Sequence, residues 1–196
     1  MGRDHNPGVS VADWNGSTAL VVVDVQKGFD DAAYWGPRNN PDCEANIVHL
    51  IDAWRDQGWP IVFVRHDSRT PSSPLAKGSP GNVFKSMITG DPDLFVVKDA
   101  HSAFYGSPDL DAWLKKHGIT GVAITGIQTN MCCESTARMA SDLGYEVLFV
   151  EDAMHTFDIV TPTHKVYRAR EIARYAALTI GADFGKVVRT SDLVDR

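Results

Sequence analysis

The chain has 196 residues and a net charge of −6, a length sufficient for one domain with a sizeable core. The negative charge, with no basic cluster to offset it, argues against nucleic acid as a partner. No apolar run is long enough to span a membrane. The three cysteines, two of them adjacent, are typical of a reducing compartment rather than of a disulfide framework. We therefore expect a cytoplasmic protein that binds neither nucleic acid nor membranes.

Residues 1–16 are polar and predict a flexible lead-in, and residues 17–196 predict a single domain. Apolar runs and helical spacing alternate along that domain. The predicted strands are 19–23, 60–64, 94–97, 121–125, 146–150 and a short sixth at 186–190. The predicted helices are 43–57, 110–117, a segment from the cysteine pair to residue 143, and 161–180 with a proline in its first turn. This alternation predicts an α/β domain with a parallel sheet and helices on both faces.

Three residues with complementary chemistry follow predicted strands. Asp24 follows the first strand, Lys98 the third, and Cys132 lies shortly after the fourth. In open α/β sheets the ligand crevice lies at the carboxyl ends of the strands, so we expect these side chains to meet there. A carboxylate can take a thiol proton, an ammonium can stabilise negative charge, and a thiolate can attack a carbonyl. Each residue alone also has an ordinary explanation, as a loop cap, a solvated cation or a small buried side chain.

The position of Cys132 adds a second argument. A strand, a glycine turn and a predicted helix follow one another here, so the cysteine falls in the first turn of a helix. Helix N-termini present unpaired N–H groups and a partial positive charge, which lower the pKa of a cysteine and can bind an oxyanion. We therefore expect Cys132 to be an ionised nucleophile in a hydrolase.

Five segments, in order along the chain, carry a resemblance to a known family. They are residues 20–29 (LVVVDVQKGF), 73–75 (SPL), Lys98 with 102–104 (SAF), 126–138 (GIQTNMCCESTAR) and 151–153 (EDA). In these motifs the chain resembles the isochorismatase-like cysteine hydrolase superfamily, which includes nicotinamidases, N-carbamoylsarcosine amidohydrolase, ureidoacrylate amidohydrolases and isochorismatases. The motif over residues 129–138 is the most specific of the five.

The resemblance implies a three-layer α/β/α fold with a six-stranded parallel sheet. It implies a catalytic triad of Asp24, Lys98 and Cys132. It also implies a cis peptide bond between Ile127 and Gln128, and an oxyanion hole formed by the backbone N–H groups of Gln128 and Cys132. Since relatives form dimers and tetramers, it further implies a homodimer or homotetramer.

The same resemblance bears on residues outside the triad. The family usually has an apolar residue at position 133, so Cys133 is predicted to be a buried helix residue; Cys43 is assigned no role. Nicotinamidases carry an Asp-x-His…His metal site after the second strand, but this chain has Asp67-Ser68-Arg69 there. His66 could supply at most one ligand, and a stable site needs three or four. We therefore expect no metal and no cofactor.

The substrate pocket is harder to predict, because its side chains come from loops. The candidate substrate-binding residues are Phe29, Trp35, His101, Phe104 and Tyr105. Ordinary packing beneath the loops explains the aromatic residues equally well. Residues 155–158 follow the fifth strand and could line the pocket or contact a neighbouring subunit.

The predicted reaction is hydrolysis of a C–N bond in a small amide or carbamoyl compound, through a thioester on Cys132. Asp24 would move the protons, including that of the attacking water, and Lys98 would stabilise negative charge. One alternative is an isochorismatase-type vinyl-ether hydrolase, which needs the acid but not the thiol. Another is a non-catalytic small-molecule binding protein of the same fold.

Overall fold

A computed structural model describes residues 16–194, so most of the predicted lead-in, residues 1–16, lies outside the described range. The strands are β1 (Thr18–Val23), β2 (Ile61–His66), β3 (Leu94–Lys98), β4 (Gly121–Ile127), β5 (Glu146–His155), β6 (Ile159–Val160), β7 (Val166–Tyr167) and β8 (Lys186–Val188). The α-helices are α1 (Ala32–Trp35), α2 (Cys43–Asp56), α3 (Leu110–Lys116), α4 (Glu134–Asp142), α5 (Ala169–Asp183) and α6 (Ser191–Val194). None of these helices is long and apolar enough to cross a lipid bilayer.

Six strands form one sheet in the order β3–β2–β1–β4–β5–β8, and every neighbouring pair is parallel. All six residues of the central β1 are buried. A strand covered on both faces needs apolar side chains on both, which explains the unbroken apolar run over residues 19–23. The predicted α/β fold with a six-stranded parallel sheet is confirmed.

Successive residues of β1 supply the two separate cores of the domain. Ala19, Val21 and Val23 face a cluster that contains residues of α3, α4 and α5. Leu20 and Val22 face the other cluster, which contains residues of α2 and α6. Burying each of these valine and leucine side chains contributes about 1.5–3 kcal/mol to the free energy of folding, so apolar packing stabilises the sheet on both faces.

The predicted helix over 161–180 is wrong at its start. The chain first forms a hairpin of β6 and β7, joined by a turn in which the His164 N–H donates to the Thr161 carbonyl. Pro162 therefore occupies the second position of a β-turn, where proline is also favoured, rather than the first turn of a helix. The helix begins at Ala169, whose N–H is capped by the Asp158 carboxylate at 2.8 Å. It continues past Gly181, the predicted stop.

The fifth strand is longer than predicted, because β5 runs to His155 rather than ending near residue 150. The charged pair at 151–152 does not end the strand, since the Asp152 side chain accepts hydrogen bonds from the N–H and hydroxyl of Thr190. His155 consequently pairs with Ile127 at the end of β4. This extension brings the end of β5 beside the turn that carries the cysteine pair.

Candidate active site

The ends of β1 and β3 provide a buried ion pair at the carboxyl edge of the sheet. Asp24 follows β1, and its N–H still donates to the Val64 carbonyl of β2 at 2.8 Å. Lys98 ends β3, two strands away, and its Nζ reaches across β2 to the Asp24 Oδ2 at 2.7 Å. Both side chains are 0% exposed. A long flexible side chain is needed here, because each strand step covers about 4.8 Å.

The Lys98 ammonium uses all three of its donors within the protein. Besides Asp24, it contacts the His66 Nδ1 at 3.3 Å and donates to the Ala100 carbonyl at 3.1 Å. An ammonium can only donate, so Nδ1 accepts and the proton of His66 lies on Nε2. Burial and the neighbouring ammonium lower the pKa of His66. Burial alone would lower the pKa of Lys98, but Asp24 and, to a smaller extent, Cys132 together outweigh it and hold that pKa above its usual value.

Cys132 lies beside this pair. One donor atom each from Asp24, His66 and Cys132 lies within 4.8 Å of the other two. Among the described residues the second carboxylate oxygen of Asp24, Oδ1, is buried and has no hydrogen-bond partner. The Cys132 side chain is mostly covered but not sealed, since the residue is 8% exposed. The structure thus brings the three predicted triad side chains together, and Cys132 as a residue retains slight exposure to solvent.

The surroundings of Cys132 oppose the ionisation predicted for it. Burial raises the pKa of Cys132 well above its ordinary value, and the Asp24 carboxylate raises it further; Lys98 only partly opposes them. Moreover, Cys132 lies in a π-helical turn, Thr129–Cys133, and the α-helix itself begins at Glu134. The resting group is therefore a thiol, and its proton must move when the sulfur reacts.

A tight turn connects β4 to Cys132. The backbone at Gly126 has φ +124°, and a Cβ there would collide with the Val23 carbonyl of the adjacent strand, so only glycine fits. The peptide bond one residue further on, between Ile127 and Gln128, is cis. The Gln128 carbonyl then accepts the N–H of Cys133 at 3.2 Å. These contacts fix the backbone immediately before the reactive thiol.

Thr156 ties the end of β5 to the same turn. Its hydroxyl lies 2.5 Å from the Asn130 Oδ1 and 3.3 Å from the Gln128 Oε1. Its own N–H donates to the Asn39 side chain at 2.8 Å. Thr156 is completely buried, so these bonds are shielded from water. The turn is consequently braced from β5 as well as from β4.

The predicted pocket residues separate into three groups. Phe29 is buried, and its ring centroid lies 4.9 Å from that of Trp35, so these two aromatic residues pack on each other. Phe104 is also buried and stacks on Tyr145, the residue before β5 at the amino edge of the sheet, while Tyr105 is 70% exposed. His101 alone among the five contacts the thiol, with its Nδ1 at 3.9 Å from the Cys132 Sγ.

The residues present do not fit a divalent metal. Asp67, where nicotinamidases begin their metal motif, is held by Arg65 at 2.9 Å and by Asn82 at 3.1 Å. The other cluster with metal-type donors, around Asp24 and His66, already holds the ammonium of Lys98 through hydrogen bonds to both. A second cation there would face direct charge repulsion.

His66 and Thr156 have places in the site that the sequence did not predict: His66 was considered only as a metal ligand, and Thr156 only as one of residues 155–158. A signal for His66 was present in the strand register. His66 ends β2 and pairs with Lys98 on β3, so a lysine crossing β2 has to pass it. The contact of Thr156 with the turn at Asn130 was not predicted, because the predicted β5 ended six residues earlier.

Comparison with known proteins gives one family. A family model described as the isochorismatase domain matches residues 18–183. The chain is 33% identical to the isochorismatase family protein YrdC of Bacillus subtilis over 90% of this chain and 94% of that one. It is 34% identical to nicotinamidase 3 of Arabidopsis thaliana (80% and 79% covered) and 31% identical to ureidoacrylate amidohydrolase RutB of Variovorax paradoxus (70% and 68%).

The solved structures agree with this match. An isochorismatase-family protein from Chromobacterium violaceum superimposes with a TM-score of 0.85 at 31% identity, covering 92% of this chain and 93% of that one. The likeness therefore extends over most of the chain.

Proposed function

Because the chain belongs to the isochorismatase family of hydrolases, we propose that it cleaves the C–N bond of a small amide or carbamoyl compound through a thioester on Cys132. One observation carries this proposal: the thiol of Cys132, a residue that is 8% exposed, lies beside the completely buried Asp24–Lys98 pair. The names of two relatives, a nicotinamidase and a ureidoacrylate amidohydrolase, support an amide substrate. Assembly as a homodimer or homotetramer, and a cytoplasmic location, stay predictions.

The first half of the reaction forms the thioester. As the Cys132 sulfur attacks the carbonyl carbon, Asp24 takes the thiol proton on its unpartnered Oδ1. Proton transfer has to accompany the attack, because burial and the carboxylate raise the pKa of the thiol. The backbone N–H groups of Gln128 and Cys132 would stabilise the oxyanion, and the charged Lys98 offsets the negative charge in the site.

The intermediate then collapses. The C–N bond breaks, the departing nitrogen takes the proton from Asp24, and the amine leaves as a neutral molecule. Water hydrolyses the thioester, which releases the acid and restores the thiol. Throughout, Lys98 keeps its hydrogen bond to Asp24 and so fixes the carboxylate in position.

A vinyl-ether hydrolase and a non-catalytic binding protein are the two alternatives. Protonation of a vinyl ether needs an acid but no nucleophile, so it gives no role to Cys132. A binding protein needs no buried ion pair, which generally costs stability compared with apolar packing. The adjoining thiol and carboxylate therefore favour the amidohydrolase.

The test is a screen of small primary amides and carbamoyl compounds, starting with nicotinamide and ureidoacrylate, with ammonia release as the readout. Cys132→Ala should fold normally and have no activity. Cys133→Ala is the matched control, since that side chain is 0% exposed and packs in the core. It should retain most of the activity. Loss of activity in Cys133→Ala with activity kept in Cys132→Ala would contradict the proposal.

A further inference from the structure

The Cys132 thiol has a second basic group beside it, which the reaction above does not use. The Nδ1 of His101 lies 3.9 Å from Sγ, within range of a sulfur hydrogen bond. His101 is exposed, whereas Asp24 is 0% exposed. The two groups therefore differ in access to water: one is enclosed by the sheet, and the other faces solvent.

The backbone around His101 is fixed on both sides. On one side, the buried lysine of the ion pair donates to the Ala100 carbonyl at 3.1 Å. On the other, the Ala103 N–H donates to the Thr136 hydroxyl at 3.0 Å, and this hydroxyl donates to the Cys132 carbonyl at 2.7 Å. His101 is thus held between the ion pair and the helix of the reactive cysteine, although it lies in a surface loop.

We propose that His101 is the catalytic base of the second half of the reaction and activates the water that hydrolyses the thioester. This inference rests on the proposed function. Once Sγ carries the acyl group, Asp24 remains buried with one oxygen bound to Lys98. Water comes from solvent, and His101 is exposed, with its Nδ1 3.9 Å from the sulfur that would carry the acyl group. Asp24 would then be the base in thioester formation, and His101 the base in thioester hydrolysis.

The step balances in atoms and charge. The water oxygen forms a bond to the thioester carbon while one of its protons passes to the His101 Nδ1. The tetrahedral intermediate collapses, the C–S bond breaks, and its electron pair goes to sulfur. The sulfur takes the proton from the imidazolium, and the carboxylic acid leaves. Both Cys132 and His101 return to their starting states.

The experiment uses p-nitrophenyl acetate, an activated ester whose p-nitrophenolate leaves without needing a proton. Acylation appears as a burst of absorbance, and deacylation as the steady rate that follows. In His101→Gln the burst should keep its rate and amplitude, while the steady rate falls by about 10²–10⁴, the usual contribution of a general base. Intact-mass measurement should then show the acetyl-enzyme accumulating on Cys132.

Two comparisons separate this role from a structural one. His49→Gln, an exposed histidine on α2, should behave as wild type in both phases. Hydroxylamine, a better nucleophile than water, should restore turnover of His101→Gln more than it speeds the wild type. An unchanged steady rate, or equal loss of both phases without rescue, would overturn the inference. If the wild type forms no acetyl adduct on Cys132, the proposed function itself fails.

Discussion

Replacing Lys98 by methionine should destabilise the protein strongly, although the two side chains are similar in size. The Asp24 carboxylate would remain in a site that is 0% exposed, with its 2.7 Å partner removed. Breaking a buried pair on one side costs about 3–5 kcal/mol, a large part of the ~5–15 kcal/mol by which a domain is usually stable. Urea unfolding followed by circular dichroism would measure this loss as a lower midpoint at an unchanged slope.

The double variant Asp24→Asn/Lys98→Met tests the cause. Asparagine tolerates the left-handed backbone at this position, where φ is +54°, and neither new side chain carries a charge. The double variant should therefore lose less stability than the sum of the two single variants, with a coupling energy of about 2 kcal/mol or more. Arg69→Gln is the control, because the Arg69–Asp99 pair is 76% and 47% exposed, and solvent screening should leave its contribution to stability small.

Additive losses in this cycle, with a coupling energy below about 0.5 kcal/mol, would refute the reasoning. They would mean that water or salt screens the Asp24–Lys98 pair, so that the two charges do not depend on each other. In that case Lys98 would not fix Asp24 beside the thiol, and the arrangement that supports the hydrolase would lose its basis.

Three further predictions follow from other contacts of the site. Burial lowers the pKa of His155 from 6.5 to about 3, so lowering the pH from 8 to 5 should cost the folded state roughly 2 kcal/mol through this residue; His155→Gln should lose that part of the pH dependence in urea unfolding. Gly126→Ala should destabilise the fold by at least ~2 kcal/mol through a collision with the backbone of β1, whereas Gly144→Ala, where no atom lies within 4 Å, should cost only its backbone strain. Thr156→Ala should lower kcat by loosening the turn at Asn130, and Thr156→Ser should restore much of it; equal kcat in both variants would exclude this bracing role.

The strands of the sheet were predictable because burial on both faces leaves an apolar pattern in the local sequence. β1 and β4 are covered by helices on both faces, so their sequences are largely apolar, with Thr18 and Thr125 as the exceptions. The carboxyl ends of the parallel strands β1 and β3 then place Asp24 and Lys98 at the same edge of the sheet. The start of α5 was not predictable in this way. Thr161-Pro162 satisfies both a helix start and a β-turn, and only the Asp158 cap at residue 169 decides between them.

The protonation state of the site was harder to predict from the sequence than the residues that form it. Charge and position suggested that Asp24, Lys98 and Cys132 would meet, but the protonation state of the thiol depends on how much water the folded chain removes from it. Loop side chains present the same difficulty. Nothing in the sequence near residues 101–105 distinguishes His101, which contacts the sulfur, from Phe104, which packs against Tyr145.

The reacting side chains lie at or just after strand ends, whereas the pocket side chains come from loops. The reaction and the choice of substrate therefore depend on different parts of the chain. The alignment of β2 with β3, with His66 opposite Lys98, is set by backbone pairing and not by the 27 residues that join the two strands, residues 67–93. That connection can change in length or composition while the ladder keeps the ammonium in place. A family built in this way can exchange the walls of its pocket for new substrates and retain one reaction centre.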